Sequence, residues 1–274
     1  MTMRRTILWW IVPMLAIAAL VACSTQDRQG SAKVVPYPTI QKESAGFLAA
    51  MVDTADPVTS SYGYGLVDAT PGQLFMVSAG QRALVWLGGY DNARCRWETD
   101  DAGVREAFAG GELARSGKVA GYFIADEPNS AGGCPAAAGQ VRARAALVRK
   151  LDSNPAHFTL VNVDDPHQFA AFRNSADVMA TDPYPCHVGK ACDWSQIPSY
   201  VGQLRAAGVV RYMGMLQAFS GGDWRWPTAA ELTRMIGQWQ QSEWIGELTF
   251  SWSYAGNKLA DHPELLAVLR RLNA

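Results

Sequence analysis

The hydrophobic positions of this chain fall into short continuous runs separated by stretches with helical spacing. The runs are Ala83 to Gly89, Val119 to Ala125, His157 to Val163, Ala176 to Thr181, Val209 to Gln217 and Gly246 to Trp252. Runs of this kind suit strands buried on both faces, as in a parallel sheet. The intervening segments carry helix signals. Thr228 to Glu231 is a capping box: the Thr hydroxyl accepts from the third helical N–H and the Glu reaches back. Behind it Leu232, Met235, Ile236 and Trp239 share one helical face. Asp261 to Glu264 has the form of a second cap, with Pro263 early in the helix where its missing N–H costs nothing. Leu265, Leu266, Leu269 and Leu272 then make an inner stripe. Pro198 opens a further helix that Gly208 ends.

Strand and helix in alternation predict a parallel sheet with right-handed crossovers. With Val119 to Ala125 as the fourth strand, the third is Ala83 to Gly89, the second lies near Tyr64 to Ala69 and the first near Phe47 to Val52. The expected fold class is α/β, a (β/α)8 TIM barrel, with residues 43–274 as its single domain; such barrels typically run to ~250 residues. Roughly forty residues serve the first two units, against ~30 for each βαβ unit, so the barrel is expected to be abbreviated there. An open doubly wound sheet is the alternative fold. The sequence holds no GxGxxG, no P-loop and no internal repeat.

The fourth run changes character abruptly. Apolar Val119 to Ala125 gives way to the carboxylates Asp126 and Glu127, and Pro128 ends the strand because it cannot donate to a ladder. The other run ends carry polar and aromatic residues too. Tyr90 and Asp91 follow strand 3, and Asn162, Asp164 and Asp165 end strand 5. Strand 6 ends in Thr181-Asp182-Pro183-Tyr184, strand 7 in Gln217-Ala218-Phe219, and strand 8 in Ser251-Trp252-Ser253-Tyr254. Barrels keep their chemistry at that rim.

The Asp-Glu-Pro after strand 4, the Asp-x-Tyr-Pro after strand 6 and the Trp ending strand 8 resemble the clan-A glycoside hydrolases. The resemblance covers most of the chain after Arg82 through short motifs. It implies a glycosidase barrel with Glu127 as general acid. Glycoside hydrolysis also needs a second carboxylate. The clan places its nucleophilic Glu at the end of strand 7, where this chain has Gln217, and an amide cannot be that nucleophile. Three explanations stay open: Asp182 is the second carboxylate, Asp223 in the following loop serves, or the barrel binds glycans without cleaving them. Glu247 is a weaker candidate, because it lies at the start of strand 8. Asp53, Asp56 and Asp68 read as cap or loop acids.

Ten tryptophans are many for a chain of this size. Trp97, Trp194, Trp224 and Trp226 fall in rim loops beside Tyr90, Tyr184, Trp252 and Tyr254, and such rings can cover the C–H faces of sugars. Trp86, Trp239 and Trp252 also suit core filling. The expected ligand-contacting set is Asp126, Tyr90, Asp91, Asn162, Tyr184, Gln217, Trp224, Trp226, Trp252 and Tyr254. No cofactor or metal is expected. The net charge of -1 and the lack of a basic stripe offer no nucleic-acid footprint. There is no GxSxG elbow and no HExxH motif.

The first residues read as a targeting segment. Arg4 and Arg5 precede an apolar run from Ile7 to Val21, shorter than the ~20 residues that span a bilayer. Leu20-Val21-Ala22-Cys23 looks like a bacterial lipobox, so residues 1–22 are an expected signal peptide, Cys23 a lipidation site and 23–42 a flexible tether. Export implies an oxidising compartment, and the four remaining cysteines read as two disulfides. The preferred pairing is Cys95 with Cys134 and Cys186 with Cys192; a zinc site is the rival. The expected protein is a monomer in the cell envelope, held to a membrane by its lipid, with a carbohydrate as partner.

Overall fold

In a computed structural model, residues 46–128 and 133–274 are described. The expected signal peptide, Cys23 and the tether to Lys42 lie outside the described residues. Eight strands close into a parallel barrel: β1 (Leu48–Met51), β2 (Leu66–Ala69), β3 (Arg82–Trp86), β4 (Val119–Ala125), β5 (Phe158–Asn162), β6 (Val178–Thr181), β7 (Tyr212–Gln217) and β8 (Gly246–Phe250). Each pairs with its neighbour in sequence, and β1 closes on β8. The closed barrel settles the fold against an open sheet.

The shortening expected of the first two units is present. A 3-10 helix, Pro57–Tyr62, links β1 to β2, and another, Pro71–Met76, links β2 to β3. Between β3 and β4 lie α1 (Asp101–Phe108) and α2 (Glu112–Arg115). The later crossovers are α3 (Ala137–Leu151), the four-residue α4 (Phe169–Phe172), α5 (Gln196–Ala206) and α6 (Ala229–Trp239), and α7 (Pro263–Asn273) follows β8. No helix among the described residues is long and apolar enough to cross a membrane.

Alternation along the strands sorts the apolar residues into two clusters. Ala50, Leu66, Leu84, Phe123, Leu160, Ala180, Met215 and Leu248, one from each strand, fill the barrel. The larger cluster lies between strands and helices and takes in the buried stripes of α6 and α7. Close fit there is specific: a Cβ on Gly214 of β7 would stand 2.5 Å from the Trp239 ring. The α6 capping box forms as expected. The α7 cap does not. Pro263 pushes the residue before it toward extended backbone, so His262 (φ -120°, ψ 69°) becomes the boundary, and Asp261 ends a separate 3-10 turn. Disulfides join Cys95 to Cys134 and Cys186 to Cys192. The first ties the hairpin after β3 to the loop after β4; the second closes a loop after β6.

Candidate active site

The inward positions of the barrel are apolar until its last layer. There the alternation that places Leu66, Leu160 and Ala180 inside brings in Asp68, Asn162 and Asp182, two residues further along β2, β5 and β6. Asp126 and Glu127 join them from the end of β4. The polar layer thus stands at the carboxyl ends of the strands, on an apolar plug.

Glu127 and Asp182 are held together. Glu127 adopts a left-handed backbone (φ 42°), unusual for a residue with a side chain. Its N–H donates to the Asn162 carbonyl at 3.0 Å, and its carbonyl accepts from Asn92 Nδ2 at 2.8 Å. Its carboxyl meets that of Asp182 in a shared hydrogen bond. A carboxyl in contact with a carboxylate is held back from ionising. Burial first, then the hydrogen bond and charge of Glu127, hold the Asp182 carboxyl well above the usual range. The Oδ1 of Asp182 is buried without a partner.

The neighbours repeat the pattern. Asn162 Nδ2 donates to Asp126 Oδ1 at 2.9 Å. Asp126 is exposed as a residue at the barrel mouth, yet protein crowds its carboxyl, and burial followed by the Glu127 charge pushes it up to about 7. Burial and the same charge raise Asp164 to about 6.

A second group lies at the β1–β2 side. The Asp53 N–H donates to Asp68 Oδ2 at 3.0 Å, and the Trp86 side chain lies beside the Asp68 carboxylate and favours its charged form. Burial raises Asp68 to about 7, with the charges of Asp53 and Asp126 adding to it. Asp53 is raised by burial, which the nearby Ser251 side chain at the end of β8 offsets in part. The reading of Asp53 and Asp68 as cap or loop acids is therefore corrected, as is that of Trp86 as core filling alone. Asp56 does cap, accepting from the Val58 N–H at 2.9 Å.

One wall is aromatic. The Tyr184 ring packs against Phe219, Trp224 and Phe250, with centroids 5.0, 5.9 and 6.1 Å away. Tyr254 stands 5.1 Å from Phe250. Burial and then the charges of Asp182, Asp126 and Glu127 hold the Tyr184 phenol up, so this wall borders the acids.

Asp126, Glu127, Asn162, Asp182 and Tyr184 are thus brought together, with Trp224 and Tyr254 along the wall. Five expected contacts are not. Tyr90 is buried under its hairpin, its hydroxyl donating to Gln140 Oε1 at 2.5 Å. Asp91 caps its own turn through Ala93 and Arg94. Trp226 stacks on His262 at 3.9 Å, and Trp252 faces Tyr62 at 6.3 Å in the outer layer. Gln217 is fully buried and its amide is spent on backbone: it accepts from Cys186 N–H and donates to the Cys186 and Arg225 carbonyls, all at 2.9 Å. It clamps the disulfide loop. Asp223 is exposed in its loop. The acids themselves do not converge on one point. Among the described residues, the one set of three or more possible metal ligands within 4.8 Å of each other is Cys186, Cys192 and Glu231, whose cysteines are bonded together.

No family model matches the sequence, and no curated protein does. Solved structures share its fold. A protein proposed to be an alpha-L-fucosidase, from Bacteroides thetaiotaomicron, is 9% identical over 92% of this chain and 99% of its own, with a TM-score of 0.56. A fungal beta-1,4-galactanase is 12% identical over 84% of this chain and 99% of its own, at 0.52. A Bacteroides uniformis beta-glucuronidase matches at 0.50 and 7% identity over 75% of this chain, which spans 30% of that longer protein. The fold is therefore the eight-stranded barrel on which glycoside hydrolases are built.

Proposed function

We propose that this chain is an exported glycoside hydrolase, anchored by lipid at Cys23, in which Glu127 protonates the leaving glycosidic oxygen. The observation that carries the reading is the hydrogen bond shared by Glu127 and Asp182 beside an aromatic wall. Asp182 touches Glu127, whereas the two carboxyls that flank a glycosidic bond stand ~5–5.5 Å apart in retaining enzymes and ~6.5–9.5 Å apart in inverting ones. Asp182 is thus a positioning residue that keeps a proton available to Glu127. The second carboxylate then comes from the Asp53–Asp68 pair. One strand separates β2 from β4, so their axes lie roughly 9–10 Å apart; carboxyls that project inward from those axes stand closer than this, toward the ~6.5–9.5 Å span of an inverting enzyme. In this reaction an Asp53 or Asp68 carboxylate takes a proton from water. The hydroxide adds to the anomeric carbon, the glycosidic C–O bond breaks, and Glu127 gives its proton to the departing oxygen.

A second reading rests on Gln217. The strand-7 position that would hold a nucleophile is occupied by an amide clamped to backbone, as a barrel that binds glycans without cleaving them would allow. The experiment is a screen of the mature protein against envelope and plant glycans, with NMR of the first anomer released. Hydrolysis with inversion that Glu127→Gln abolishes supports the first reading. Binding without hydrolysis, unchanged in Glu127→Gln, supports the second. Hydrolysis that survives Glu127→Gln refutes the site. For the anchor, intact mass of membrane-extracted protein should begin at Cys23 with added lipid; a retained Met1 contradicts it.

A further inference from the structure

The barrel mouth, the proposed cleft, is acidic on both sides, and no ion pair among the described residues neutralises it. Asp53 and Asp68 face it from β1 and β2, and Asp126, Glu127, Asp164 and Asp182 from β4 to β6. Among the described residues, no Lys, Arg or His forms an ion pair with any of the six. Arg225 pairs instead with Glu231, Arg205 with Glu243, Arg149 with Asp177 and Arg144 with Asp101. The whole chain carries a net charge of only -1, so the one-signed cleft is a local feature.

The hydrogen-bonding inventory leans the same way. Asp182 and Asn162 are 7% and 1% exposed, and each has an acceptor oxygen, Oδ1, without a partner. Two of the donors nearby are committed: Asn162 Nδ2 serves Asp126, and the Tyr184 hydroxyl meets Met215 Sδ at 2.7 Å. The Thr181 and Ser251 hydroxyls are buried without a partner, and a hydroxyl accepts as well as donates. A uronate or sulfate would bring more negative charge, and an N-acetyl carbonyl another acceptor. An ammonium brings three donors, a positive charge and no acceptor.

We infer that the cleft takes a glycan whose sugars carry free amino groups, a cationic hexosamine polymer. The inference rests on the carbohydrate reading above and narrows it to one substrate class. The wall of Tyr184, Trp224, Phe250 and Tyr254 suits the same ligand, because ring faces cover sugar C–H faces and attract cations. Burial and mutual repulsion hold Asp68 and Asp126 up to about 7 and Asp164 to about 6. A bound ammonium favours their ionised forms, so binding releases protons.

The test is calorimetry of the wild-type protein near neutral pH with equal-length glucosamine and galactosamine oligomers, each as the free amine and N-acetylated. At least one free amine should bind tighter than its acetylated twin by about tenfold or more. The preference should shrink at high salt, and in Asp126→Asn and Asp68→Asn, while other sugar contacts persist. At a pH low enough that the sugar amines are already protonated, titrations in two buffers of different ionisation heat should show proton release for the amines alone. Acetylated oligomers that bind as well as the amines overturn this inference and leave the carbohydrate reading standing. Failure of every oligomer to bind, while a neutral or anionic glycan from the screen does, also overturns it alone. Failure of all glycans in both experiments overturns both.

Discussion

Glu247, on β8, and Asp182, the residue after β6, are both buried carboxyls raised by burial, and they differ in everything else. Glu247 points outward from β8, where Thr249 Oγ1 donates to its Oε2 at 2.7 Å and Asn273 Nδ2 to its Oε1 at 3.2 Å. The Tyr64 hydroxyl completes the group by donating to Thr249 at 2.7 Å. Each oxygen of Glu247 has a partner, and burial alone pushes it up to about 8. Asp182 has one orphaned oxygen, like charges on three neighbouring acids and a place at the barrel mouth. A raised pKa reports burial in both. The neighbouring acids mark the site, because mutual repulsion does not serve the stability of the fold; an unpartnered atom alone does not mark it, since Asn273 Oδ1 beside Glu247 is unpartnered too.

The comparison can be broken by exchanging the roles. Asp182→Asn removes the group that keeps a proton by Glu127, so kcat should fall by roughly a hundredfold, within the range for acid–base groups. The pH–rate profile should shift, while the melting temperature holds or rises as repulsion is relieved. An unaltered profile would make Asp182 a packing residue. Glu247→Ala leaves Thr249 and Asn273 without their acceptor and opens a gap, so unfolding in denaturant should cost about 3 kcal/mol less. Its rate of hydrolysis should be that of the wild type.

A smaller effect sharpens the contrast. The folded-state pKa of Glu247, about 8, lies above its ordinary value of 4.5. Between those values the folded chain keeps a proton that the unfolded chain has released, so stability falls as pH rises, and the loss is complete above about 8. Glu247→Gln does not titrate. Its stability relative to wild type should therefore grow by on the order of 2 kcal/mol from pH 6 to pH 8. Parallel stability curves would show that Glu247 is already ionised.

Much of this was legible in the sequence, for identifiable reasons. Long apolar runs such as Val119 to Ala125 announce a buried strand, and an abrupt Asp-Glu-Pro marks its end. Asp182 stands out in the same way after Val178 to Thr181. The β1–β2 acids were not legible, because Leu66–Ala69 is a four-residue strand bounded by 3-10 turns, too short for alternation to tell an inward Asp68 from a loop acid. Trp86 looks like core until the β2–β3 register pairs Asp68 with Leu84, two residues before Trp86 on the same face, so that the Trp86 side chain lies beside the acid. Rim residues were located but not aimed. Trp252 lies two residues beyond Phe250, which faces the cleft, yet its ring lies in the outer layer. Gln217 occupies an inward position, and only the fold of the Cys186 loop shows that its amide is consumed.

The most direct measurement compares two isosteric substitutions, Glu127→Gln and Glu247→Gln, in hydrolysis of whichever glycan the wild type cleaves. Glu127→Gln should lose ~10²–10⁴-fold in rate with the wild-type melting temperature, and Glu247→Gln should keep its full rate. Wild-type turnover by Glu127→Gln, or its loss in a fully folded Glu247→Gln, would contradict the placement of the chemistry at the β4–β6 rim.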